Sequence, residues 1–124
     1  MPDSARASLY LILPVTDDPR QVFTLDLTLE GEPFQARIEL RYFPAPDQWM
    51  LSLWDHASGE LLVRQIPLIC SLGEVNDLFA PFAHLRDGKG LGSLWVMRAA
   101  EDPETPDPAE STLKQFRVFW GNAL

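Results

Sequence analysis

Few side chains in this sequence suit chemistry, and they are scattered. There is one cysteine, Cys70, and two histidines, His56 and His84. A cysteine nucleophile needs a histidine partner and a setting that lowers its pKa. Cys70 lies instead in the apolar run Ile66-Pro67-Leu68-Ile69-Cys70, where a thiol reads as a small buried hydrophobe. His56 falls in the loop Asp55-His56-Ala57-Ser58-Gly59, and His84 follows a short apolar segment. With Asp55 or Asp87 nearby, either could serve as a base, but each reads first as a packed or solvated side chain. One cysteine and two histidines match no common zinc spacing. Gly88-Lys89-Gly90 lacks the spacing and the trailing Ser or Thr of a phosphate loop. Gly90-Leu91-Gly92-Ser93-Leu94 does not set its serine between glycines two residues away on either side, as a nucleophile elbow requires. Glu101, Asp102, Glu104, Asp107 and Glu110 lack the ligand spacing of a calcium loop, and Pro103, Pro106 and Pro108 resist a tight wrap. The expectation is therefore no catalytic residue, no cofactor and no metal, with residues 101–112 as a solvated loop.

Aromatic side chains are the better candidates. Trp54, Trp95 and Phe119 fall opposite the regular apolar stripes of their segments. They form either a second buried layer of a closed barrel or an exposed patch that buries against a partner. On the second reading these three are the partner contacts.

The segments that position them read as strands. Residues 9–13 form a short apolar strand stopped by Pro14. In residues 22–30, Phe23, Leu25, Leu27 and Leu29 alternate with Thr24, Asp26, Thr28 and Glu30. Period-two alternation marks a strand with one face buried and one wet. Residues 34–42 repeat it, and Glu30-Gly31 supplies the hairpin turn between them. Asp26 and Glu30 face Arg37 and Arg41 as expected cross-strand pairs. Residues 49–54 and 60–68 extend the meander to four strands, with a bend expected at Pro67. Residues 72–85 carry Val75, Leu78, Phe79 and Phe82 at roughly helical spacing, and Pro81 limits any helix to a turn or two. Residues 93–98 and 114–121 close the chain as strands. The fold class expected is all-β: a small antiparallel barrel or sandwich of about seven strands with one short helical segment.

The chain has 124 residues, with ten Lys and Arg against eighteen Asp and Glu and a net charge of −8. That length suits one domain, read as residues 9–124 behind a loose leader at 1–8. The acidic balance argues against nucleic acid, which attracts basic patches, and against anionic membrane surfaces. The run at 9–15 is too short to span a bilayer, and its flanks make a poor signal peptide. The chain is expected to stay in the cytosol unless an assembly carries it elsewhere.

Order and spacing along the chain carry a resemblance. The run Phe23-Thr24-Leu25-Asp26-Leu27-Thr28-Leu29-Glu30-Gly31-Glu32-Pro33-Phe34 is followed by Ile38-Glu39-Leu40-Arg41-Tyr42 and Asp47-Gln48-Trp49-Met50-Leu51-Ser52-Leu53-Trp54-Asp55. Gly59-Glu60-Leu61-Leu62, Pro67-Leu68, Gly92-Ser93-Leu94-Trp95-Val96, Asp107-Pro108 and residues 116–120 complete it. In this order the chain resembles the small phage tail proteins related to the baseplate hub plug of contractile-tailed phages, widespread in bacterial prophages. Residues 1–8 have no counterpart in that group, and Val118-Phe119-Trp120 stands where a tyrosine near the end is more usual. The resemblance implies a structural component of a phage or prophage tail, not an enzyme, made in the host cytoplasm and built into the virion. It implies other tail or baseplate proteins as partners and a homo-oligomer in the assembled tail. The alternative is a small β-barrel module that binds a ligand or peptide, which a deep polar-lined pocket would reveal.

Overall fold

The computed structural model describes residues 10–99 and 104–122, so the leader expected at 1–8 lies outside the described residues. The strands are β1 (Tyr10–Ile12), β2 (Arg20–Leu29), β3 (Glu32–Phe43), β4 (Gln48–Asp55), β5 (Leu61–Pro67), β6 (Ser93–Arg98) and β7 (Phe116–Gly121). They form two antiparallel sheets, ordered β1-β7-β6 and β2-β3-β4-β5. The two sheets pack as a sandwich, which resolves the choice between barrel and sandwich.

The four-stranded sheet follows its alternation closely. Ile38 stands opposite Leu53 and Leu40 opposite Leu51, all buried. β2 meets β3 through a two-residue turn in which Glu30 and Gly31 have φ of 51° and 82°. Positive φ at both central residues gives a turn whose twist matches its strands. Asn122 Oδ1 accepts the Glu30 N–H at 2.8 Å and ties this hairpin to the end of β7. The irregularity expected at Pro67 falls earlier, at a bulge where Gln65 takes φ 44° and donates its N–H to Ser52 Oγ at 3.0 Å. Charge pairing also departs from expectation. Asp26 stands opposite Gln35, Arg20 pairs with Glu39 at 3.0 Å, and Arg37 and Arg41 lie over the rings of Trp54 and Phe43. A ring on the same wet face competes for a guanidinium as well as a carboxylate two positions away does.

The core between the sheets is filled by Trp49, Trp120, Phe79, Phe116 and buried leucines. Each tryptophan has its indole N–H satisfied inside: Trp49 donates to Ala109 O at 2.7 Å, and Trp120 to Leu91 O at 2.6 Å. Burial of an unpaired N–H would be costly, so these bonds fix the two connecting segments as well as the rings. Residues 104–112 are consequently not a purely solvated loop. Pro108, Ala109 and Thr112 are buried, and Thr112 Oγ1 accepts the Ala109 N–H at 2.9 Å. The helical spacing of 72–85 yields one 3-10 turn, Ala80–Phe82, with Pro81 inside it. A second 3-10 turn, Leu113–Gln115, occupies the start of the segment read as the last strand, which begins at Phe116.

Candidate functional site

Neither strand pairing nor core packing accounts for the outer face of the three-stranded sheet. Trp95 stands opposite Phe119, and Phe119 opposite Ile12, so the three share one face. Trp95 and Phe119 stack with ring centroids 5.5 Å apart and planes 13° from parallel. Tyr10 sits beside both, 5.7 Å from each. Trp95 is only 8% exposed, whereas Tyr10 is 51% and Ile12 52% exposed. Met97, also exposed, extends the patch along β6. An antiparallel sheet needs only one apolar face to pack its core. Here the second face is largely apolar too, with Arg117 opposite Met97 as its exposed charge, and it faces outward.

The free edge of β6 is covered. Ser71 donates its N–H to Val96 O at 2.8 Å, and Leu78 donates to Leu94 O at 2.7 Å. Asp77 completes the seam by accepting from Ser93 Oγ at 2.8 Å and from the Leu94 N–H at 3.0 Å. Covering an edge in this way blocks unplanned strand addition. In the larger sheet, β5 is interrupted by its bulge, while the ten-residue β2 has a strand neighbour on one side only.

Of the three aromatics singled out from the sequence, the structure brings Trp95 and Phe119 into contact and places Trp54 on the other sheet. There Trp54 is half-buried beneath Arg37, whose guanidinium carbon is 4.9 Å from the ring centroid. Tyr10 and Ile12 were not among the predicted contacts. Their signal was present, because Leu9-Tyr10-Leu11-Ile12-Leu13 is apolar at every position and so cannot hide both faces in one core.

The side chains weighed for chemistry stand elsewhere. Cys70 is buried, and burial first, then the charge of Asp107, push its thiol pKa up. Asp107 Oδ1 accepts the Cys70 N–H at 2.8 Å. His56 and His84 are both exposed. The glycine turn at 88–92 closes on its own backbone, with Gly90 donating to Leu85 O at 2.8 Å. Lys89 Nζ pairs with Glu32 at 2.5 Å, and this bond and charge hold the Glu32 carboxyl below its usual pKa. The Tyr42 hydroxyl donates to Asp47, and that bond, burial and the charges of Asp47 and Glu110 push its pKa up to about 12. Among the described residues, no three His, Cys, Asp or Glu side chains gather as metal ligands. Two surface clefts, of about 210 and 260 Å³, lie beside Phe116 and beside Asp47.

The family described as cyanophage baseplate Pam3 plug gp18 matches residues 10–123. No curated protein matches the chain.

Proposed function

This chain belongs to the family of the cyanophage baseplate Pam3 plug gp18, and from that premise we propose how a structural component of a phage baseplate joins its neighbours. The family places the chain in the virion tail, in association with other baseplate proteins. Its docking surface is the outer face of the β1-β7-β6 sheet, and the observation that carries this reading is the exposure of Tyr10 and Ile12 over the Trp95–Phe119 stack. Aromatic side chains suit this role because they bury much area with few rotatable bonds. Trp95 and Phe119 form the floor of that surface, while Trp54 lies outside it.

The chain acts by assembly and carries no reaction of its own. The buried thiol of Cys70 and the separate, exposed histidines support this reading. It is made in the host cytoplasm, where its acidic surplus keeps the free protein soluble before assembly. Several copies enter each particle, and neither nucleic acid nor membrane is a partner. Complementation of a phage lacking this protein tests the reading. The double variant Tyr10→Ser, Ile12→Ser is expected to keep the unfolding midpoint and lose incorporation into tails by roughly tenfold or more. Normal incorporation of that variant would remove the docking face. Changing His56 and His84 to glutamine is expected to leave incorporation unchanged.

A further inference from the structure

Charge is shared unevenly over this surface. The chain as a whole holds ten Lys and Arg against eighteen Asp and Glu. Strand alternation puts Arg20, Arg37, Arg41 and Arg64 on the outer face of the four-stranded sheet, against Asp26 and Glu39. Glu39 is engaged by Arg20. Arg37 and Arg41 lie over Trp54 and Phe43 at 4.9 and 5.3 Å, and neither joins an ion pair among the described residues. A guanidinium held over a ring keeps its in-plane N–H donors available and is already ordered. A carboxylate that meets it therefore costs little side-chain entropy.

The complementary surface lies at one end of the sandwich. The turn after β3 and the segment before the second 3-10 turn enclose the cleft of about 260 Å³, walled by Pro46 and Asp47 on one side and Pro106 and Asp107 on the other. No Lys or Arg lines it. Glu104 and Glu110, each next in the chain to a lining residue, Thr105 and Ala109, are exposed. The hydrogen bond from Tyr42 to Asp47, then burial, then the charges of Asp47 and Glu110 raise the Tyr42 pKa at this end.

We propose that copies of this chain join head to tail, the Arg37–Arg41 face of one seating on the Asp47–Glu110 end of the next. The contact names the interface behind the several copies per particle inferred above. Its two halves differ, so it is heterologous and repeats from copy to copy, as a ring or an open filament, instead of stopping at a pair. The overall charge of −8 does not forbid it, because at physiological salt repulsion beyond about 8 Å is screened while touching charges are not.

Sedimentation velocity of the full chain over a wide concentration range, at low and high salt, tests this contact. Self-association that weakens with salt is expected. Arg37→Glu with Arg41→Glu, and separately Glu104→Lys with Glu110→Lys, are each expected to weaken it by roughly tenfold or more. Both sets combined in one chain should restore it, and unfolding midpoints show that each variant is folded. Restoration distinguishes lost complementarity from mere damage. A chain that stays monomeric throughout overturns the proposal, including one that is monomeric yet binds polyglutamate, which would mark an acidic partner of another kind. Association indifferent to both reversals and abolished by Tyr10→Ser, Ile12→Ser also overturns it, while leaving the aromatic docking face standing.

Discussion

The two sheets share a core and differ in what they show to solvent. The four-stranded sheet turns leucines and isoleucine inward and a mixed face outward, where threonines, arginines and acids are interspersed with Val22, Phe43, Met50 and Trp54. The three-stranded sheet is largely apolar on both sides, with Leu94, Val118 and Trp120 inside and Tyr10, Ile12, Phe119 and Met97 outside beside one charge, Arg117. Charges break up the first outer face at close intervals and the second at one position only. Exposure of Tyr10 and Ile12 on one face is what the docking role proposed above rests on.

The largest effect is expected where the small sheet closes. Gly92 holds φ +75°, and a Cβ there would stand 1.8 Å from Gly121 O. Gly92→Ala is expected to cost on the order of 3 kcal/mol in urea unfolding, through strain and the forced parting of β6 from β7. If the loss is shared, one transition shifts as a whole. If the small sheet melts first, near-ultraviolet signals from Trp95 and Phe119 will move before the rest, and the contrast between the sheets sharpens.

A smaller pair of effects tests whether both sheets are pinned alike. Trp49→Phe and Trp120→Phe remove one buried indole N–H each and leave the carbonyls of Ala109 and Leu91 unpaired. About 2 kcal/mol is expected for each, with one sharp transition in both. Unequal losses would show that one connecting segment contributes more than the other.

The smallest effect is confined to the larger sheet. The Tyr42 hydroxyl has a folded pKa of about 12, above the 10.0 ordinary for a tyrosine. A raised pKa means stability that is fully present below the unfolded value and is lost as pH rises through the folded one. Stability should therefore fall between about pH 10 and 12, and Tyr42→Phe should flatten that decline in alkaline unfolding curves.

Much of this was legible beforehand, for physical reasons that differ by region. The meander was readable because each strand pairs with its sequence neighbour and alternates polar with apolar residues. Glu30-Gly31 marked its turn. The pairing of β1 with β7 was not readable, since Tyr10 and Gly121 are joined only by folding. Trp54 was grouped with Trp95 and Phe119 because alternation says which residues share a face and not which sheet owns it. The acidic segment looked fully solvated because its few buried members, Pro108, Ala109 and Thr112, carry no periodic pattern.

That same pairing sets an order of events during synthesis. The hairpins of the meander connect close neighbours and can collapse early, since short loops close at small entropic cost. β1 emerges first yet must wait for β7, more than a hundred positions later, before it has a place to lie. The face proposed above for docking is therefore complete only once the last strand has paired, so on that proposal an unfinished chain would be slow to join a growing tail.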